Sequence, residues 1–386
     1  MASQPSLTYS LEGPNWDESQ IGIQESQNSL GYLLIEPETE FRDFSANSLV
    51  NFPLPFLKGF VRASYNHLSS RDYNEKKAWP YGNIQEVEIG DQMRPIMITE
   101  PNPDHINDMS SVITEVMHMG WTELDEGTHR KLHEAMAKMH PDRRVLSFMT
   151  PGISKHGPVL KPLEGFTRLL KTTAEEYLEV LPQFTYDGSI HLNGTSLGSI
   201  IAFLAAAENM SRNPFKQLNI TRLKLISPAI GARDVNRDEK FSEFDASDSD
   251  YIWRVTLRFF GHMAIDAPKM ALRNPEIAGE CASVGLIYAT QINKHLPRAL
   301  TLMGNLRDAQ KGIDYQLIKD IVGYYDSVDI LAGQNDPLFV EQKPQFNKVS
   351  EFARKLQIRE LAGYGHSLSL DSKLAIDQLD KMEQAA

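Results

Sequence analysis

Cysteine is almost missing from this chain: Cys281 is the only one among 386 residues. An internal disulfide needs two and a cysteine-based zinc site needs several, so neither is available. Cations are scarce as well. Lys plus Arg number 39 against 51 Asp plus Glu, a net charge of −12. A nucleic-acid or anionic-membrane binder needs a positive face to displace counterions, and this balance works against both. Long hydrophobic runs are lacking: the longest small-and-apolar stretch, 200–207, falls far short of the roughly 20 residues a membrane helix takes. Residues 1–16 show no basic start followed by an apolar stretch, so no signal peptide is expected. Neither Gly-x-Gly-x-x-Gly nor a phosphate-binding loop occurs, and no nucleotide cofactor is expected. What remains is 41% apolar and 23% charged, ordinary for a globular protein and too apolar for wholesale disorder. The expectation is a reduced, cytoplasmic-type protein with no membrane span. Its length fits two to three domain-equivalents, or one large α/β domain with an insertion.

Hydrophobic periodicity divides the chain. Residues 1–29 are rich in Ser, Gln, Asn and Pro without a sustained period, which reads as an arm. A first strand is expected at 31–36, and 45–83 is aromatic and irregular. The alternation at 84–89 predicts a half-exposed strand, and 95–99 a short buried one ending at Glu100-Pro101-Asn102-Pro103. Asp108 followed by Val112, Ile113, Val116 and Met117, with Gly120 as a stop, predicts a helix. Further helices are expected over 125–140, 163–181 and 199–208, and further strands over 145–149, 190–193, 223–226, 328–332 and 358–361. Strands alternating with helices predict a mostly parallel sheet covered on both faces. The alternation breaks over 232–318, where 251–263 and 283–302 read as helices, the second with Pro297 inside it. The expected domains are therefore 1–83, an arm with the first strand or strands; 84–231, the first part of the core; 232–318, a helical insertion; and 319–386, the second part of the core.

The chemically informative segment is Gly194-Thr195-Ser196-Leu197-Gly198, which follows a strand and opens a helix. A serine at the tip of a sharp strand-to-helix turn is strained but exposed above the sheet edge. Glycines two residues before and after let the backbones approach without a β-carbon clash. The N–H of Leu197 and the start of the helix then face a carbonyl oxygen as it gains charge. Two later strands end in Gly333-Gln334-Asn335-Asp336 and in Gly363-Tyr364-Gly365-His366-Ser367, each with an ionisable residue at the sheet edge where ligands bind. The order Ser196, Asp336, His366 differs from that of the two common serine-protease folds. Asp234 is the rival acid.

On these motifs the sequence resembles the α/β-hydrolase superfamily over about 90–386, with 232–318 in the cap position. The resemblance implies an α/β-hydrolase fold, a Ser196 nucleophile, an Asp336 orienter, a His366 base, no metal and a small-molecule acyl substrate. The family usually carries His-Gly after its third strand, where a backbone N–H completes the oxyanion hole. The matching loop is expected at Thr99-Glu100-Pro101-Asn102. Pro101 has no N–H, which leaves Asn102 as the second donor beside Leu197, with Glu100 either anchoring the pocket or starting a surface loop. Three functions follow from the same scaffold: a serine hydrolase of carboxylic esters, an acyltransferase using the same acyl-enzyme, or a binding protein without catalysis.

Other residues are assigned to structure. His129 and His133, four apart on a helix with no acidic third ligand, read as a solvated helix face. Asp234, Asn236 and Asp238 start like a calcium loop, but Glu239 stands where glycine is needed. Tyr251, Trp253, Phe259 and Phe260 either line an acyl pocket or pack the cap itself.

Overall fold

A computed structural model describes residues 32–35, 53–68, 82–90, 92–118, 120, 127–148, 166–185, 188–230, 275–276, 278–279, 282–283, 313, 315–334, 336, 339, 346, 349, 355–362, 364–366, 368 and 371–385. The arm at 1–29, the segment 251–263, Asp234 with its acidic neighbours, and the four aromatic residues just named lie outside them. Nine strands are described: β1 (Tyr32–Ile35), β2 (Asn83–Ile89), β3 (Gln92–Thr99), β4 (Thr114–His118), β5 (Arg144–Phe148), β6 (Ile190–Thr195), β7 (Ile220–Ile226), β8 (Ser327–Gly333) and β9 (Leu356–Leu361). They form one sheet in the order β1-β9-β8-β7-β6-β4-β5-β3-β2. Every neighbouring pair is parallel except β2–β3 and β3–β5. The described helices are α1 (Pro53–Leu68), α2 (Gly127–Met139), α3 (Phe166–Val180), α4 (Gly198–Ser211), α5 (Tyr315–Tyr324) and α6 (Ser372–Ala385). None of them is long and apolar enough to cross a membrane.

The sheet is covered on both faces, as alternating strands and helices require. Val116, Leu192, Leu225 and Ile330 point to the side of α3, α4 and α5, and form the larger core with Leu170, Tyr177, Ile200 and Ile321. Met117, Val145, Ile226 and Leu331 point the other way, onto Leu132 and Met136 of α2 and Ile376 and Leu379 of α6. Helix α5 straddles the boundary drawn at 318/319 and packs in the larger core through Ile318, Ile321 and Val322.

One expected helix is a strand. Asp108 does act as a cap, its Oδ1 accepting from Ser110 N at 3.0 Å, but it opens only a one-turn 3-10 helix. The chain then enters β4, all five residues of which are buried. A strand covered on both faces has no reason to alternate, so its apolar residues fall at spacings that imitate a helix.

The smaller core hides a charged layer. Glu115 of β4 accepts from Arg143 at 2.5 Å, Asn193 Nδ2 at 2.8 Å, His191 Nδ1 at 2.9 Å and Lys224 Nζ at 3.0 Å. Glu383, near the end of α6, accepts from Lys224 at 2.9 Å and from Arg143 at 3.0 Å. Burial pushes both carboxyl groups upward, but the surrounding cations outweigh it. Lys224, His191 and Arg143 leave Glu115 well below the usual carboxylate range. Lys224 and Arg143 hold Glu383 down at about 2. A carboxyl group more acidic in the folded than in the unfolded chain contributes stability above its unfolded value, and loses it as pH falls toward the folded one. The urea midpoint should therefore fall as pH drops from 4.5 toward about 2. Glu383→Gln should flatten that slope; an unchanged slope would remove Glu383 from the account.

Candidate active site

Strand β6 ends at Thr195 and α4 begins at Gly198, so the whole turn is Ser196 and Leu197. Ser196 has φ 52°, in the left-handed region that side-chain-bearing residues avoid. Such a conformation persists only where its surroundings hold it. Here Ser196 N–H donates to Ile226 O at 3.0 Å, and Ser196 O accepts from Ser199 N at 3.0 Å and Ala229 N at 3.3 Å. The Ser199 hydroxyl donates to the same oxygen and accepts from Ala229 N at 3.0 Å. Gly194 is required by close approach. A methyl group there would stand 2.4 Å from Ser199 Cα. Gly194 thus lets the strand end press against the first turn of the helix.

Three residues remote in sequence meet at this rim. Asp336 lies in the loop after β8, where its N–H donates to Gly333 O at 3.0 Å and its O accepts from Phe339 N at 3.1 Å. His366 follows β9. Its Nδ1 lies 2.9 and 3.1 Å from the two carboxylate oxygens of Asp336, and its Nε2 lies 2.8 Å from Ser196 Oγ. A carboxylate only accepts, so Nδ1 carries the proton and Nε2 is left to accept from the serine hydroxyl. Asp336 is fully buried and His366 nearly so, whereas Ser196 is half-buried and reachable. Leu197 follows the serine at the N-terminal end of α4, where the helix dipole favours negative charge.

Asn102 is not part of this group. Strand β3 runs antiparallel to β5, with Thr99 opposite Val145 near the start of β5. Its C-terminal end therefore lies at the opposite rim from Ser196. Asn102 N–H donates to Pro141 O at 2.6 Å, and its side chain accepts from Asp104 N at 3.0 Å. Glu100, on the same wrong rim, pairs with Arg144. The loop that does reach the serine follows β4. A methyl group on Gly120 would stand 3.1 Å from Ser196 Cβ and 3.5 Å from its Oγ. Gly120 therefore stands beside the nucleophile at the rim that Asn102 does not reach. In the sequence, Gly120 closes the apolar run that β4 occupies, and the helical spacing of that run hides the loop.

His133 is corrected as well. It is fully buried, with Nδ1 2.6 Å from Ser147 Oγ and Nε2 2.8 Å from Thr99 Oγ1, so two hydroxyls on the sheet satisfy it. The side chain of His129 lies outside the described residues.

Among the described residues, Glu115, His191 and Glu383 bring three ligand atoms within 4.8 Å of one another. The group does not suit a metal ion. Lys224 Nζ is bound 3.0 Å from Glu115 and 2.9 Å from Glu383, and Arg143 holds both carboxylates. The place of a cation is already filled by cations.

A mostly parallel sheet with a serine elbow after its central strand, an acid after β8 and a histidine after β9 is the α/β-hydrolase fold. No protein-family model matches the sequence, and no curated protein does. Solved structures do resemble it. A His-tagged serine hydrolase involved in carbazole degradation, the CarC enzyme, is 11% identical with a TM-score of 0.47, over 78% of this chain and 99% of that one. A structure from a study of carboxylesterases of the ammonia-oxidizing thaumarchaeon Nitrososphaera gargenis is 12% identical with a TM-score of 0.47, over 78% and 97%. A thioesterase domain from the curacin biosynthetic pathway is 16% identical with a TM-score of 0.45, over 77% and 98%.

Proposed function

We propose that the protein is a serine hydrolase that cleaves a carboxylic ester or related acyl bond of a small molecule through an acyl-enzyme on Ser196. The observation that carries the reading is the unbroken hydrogen-bonded chain from Asp336 through His366 to Ser196 Oγ, with its last link at 2.8 Å. Ser196 Oγ attacks the acyl carbonyl carbon while its proton passes to His366 Nε2. Asp336 faces Nδ1–H, holds the ring in the right tautomer and stabilises the imidazolium. The carbonyl oxygen becomes an oxyanion held by Leu197 N–H and by backbone of the loop carrying Gly120, in place of Asn102. Collapse breaks the bond to the leaving group, which takes the proton from His366. Water then attacks the acyl-enzyme, giving its proton to His366, and the acid departs as Ser196 is reprotonated.

A fluorophosphonate probe followed by peptide mass spectrometry tests this. The expected result is one adduct on Ser196, together with hydrolysis of p-nitrophenyl esters at an acyl length that a graded series would identify. A folded sample with no adduct and no turnover on any of them would leave the fold without this chemistry.

A further inference from the structure

Four histidines are buried among the described residues: His118, His133, His191 and His366. Three of them have partners: His133 on two hydroxyls, His191 on Glu115, and His366 between Asp336 and Ser196. His118 stands apart. It is 2% exposed, and neither ring nitrogen has a hydrogen-bond partner among the described residues. Its ring is stacked with Tyr177 of α3, centroids 5.4 Å apart, and with Phe148 of β5 at 5.6 Å. Burial pushes it down to about 3, so it is a neutral imidazole with one donor and one acceptor.

An unmatched buried polar ring is costly, and a phenylalanine would complete the Phe148–Tyr177 stack without that cost. The neighbouring cases of His133 and His191 show that this fold does satisfy its buried imidazoles. The position of His118 supplies a reason for the exception. It is the last residue of β4, level with Phe148 of β5 and Gly194 of β6, at the same rim as the serine. Two residues further on, Gly120 passes so close to Ser196 that a β-carbon on it would stand 3.1 Å from the serine Cβ.

Resting on the hydrolase reading above, we infer that His118 is a positioning residue. Its imidazole gains its hydrogen bonds when a tetrahedral centre forms on Ser196, and so holds the Gly120 backbone against the oxyanion. The resting structure carries the unmatched ring, and the transition state gains the interaction, which is the condition for raising kcat and not merely affinity.

The test pairs a variant with a spectrum. His118→Phe keeps the stack and removes both nitrogens. It should melt at or above the wild-type temperature and lose kcat by about tenfold to a hundredfold with KM little changed, the scale of a misplaced oxyanion donor. His118→Asn, which keeps a donor, should recover part of the loss. A ring serving only as packing would leave kcat of the Phe variant at the wild-type value, and that result overturns the inference. Ring ¹⁵N shifts of His118 in the wild-type protein give a readout independent of any variant's folding. They should move when a phosphonate forms its tetrahedral adduct on Ser196, and shifts that stay put overturn the inference. A wild-type enzyme that labels and turns over while His118→Phe matches it defeats this inference alone. A wild-type protein that neither labels nor turns over defeats the hydrolase reading, and this inference with it.

Discussion

Ser196→Ala should lower ester turnover by about 10⁴-fold or more and abolish phosphonate labelling, with the fold unchanged. On the proposed mechanism alanine removes the attacking oxygen and leaves His366, Asp336 and the oxyanion donors in place, so whatever rate remains reports binding and electrostatics alone. The size of the loss should not grow when His366 is removed as well. In the proposed mechanism the two groups share one proton transfer over the 2.8 Å contact, and a unit broken once cannot be broken again. A second substitution at the same position separates function from strain. Alanine keeps a β-carbon at φ 52° and inherits the strain of serine. Ser196→Gly removes that β-carbon and should be as inactive as alanine but more stable, by about 1 kcal/mol. Urea titration of the three proteins reads this directly. A glycine variant no more stable than alanine would mean that the elbow stores no strain, and that the serine's exposure has another cause.

The elbow was legible because its chemistry is local. Glycines on either side of a serine, after a strand and before a helix, state their geometry within five residues, and the loops bearing Asp336 and His366 likewise follow short apolar runs. Strand direction is not local. Nothing within β3 says that it runs against β5, and that one reversal sent Asn102 and Glu100 to the wrong rim. The misreading of β4 has the same origin at another scale. A central strand with both faces covered carries no alternation, and its relation to β5 and β6 is written in partners tens of residues away. His133 looked like one of a solvated pair because Ser147 and Thr99, which receive its ring nitrogens, belong to two other strands. The charged layer was invisible for the same reason. Glu115, Arg143, Lys224 and Glu383 are unremarkable singly and acquire meaning only when β4, β7 and α6 stack.

That layer sets the second large effect. Lys224→Met should destabilise the fold by about 3–5 kcal/mol, the usual cost of breaking a buried ion pair from one side. Lys224 and Glu115 are both out of solvent, and Glu383 is partly so. Without the ammonium, two carboxylates are left to Arg143 and His191 in a site that water barely reaches. The charge count suggests the rescue. Two acids face two permanent cations, so removing one of each leaves Arg143 paired with Glu383 and no net charge stranded. Lys224→Met/Glu115→Leu should therefore lose far less than the sum of its two single variants, because both charges leave together and the remaining cost is that of His191 and Asn193 losing their acceptor on Glu115. The cycle is read from urea midpoints, with kcat per folded molecule as the control. That kcat should hold in all three variants, since Glu115 and Lys224 lie within the strands and below the rim where Ser196, Asp336 and His366 meet. Strict additivity would show that the two charges do not stabilise each other, whatever their separation of 3.0 Å. Loss of kcat in step with stability would mean instead that Glu383 anchors α6 for the sake of His366, whose loop runs through Leu368 and Asp371 into the first turn of that helix.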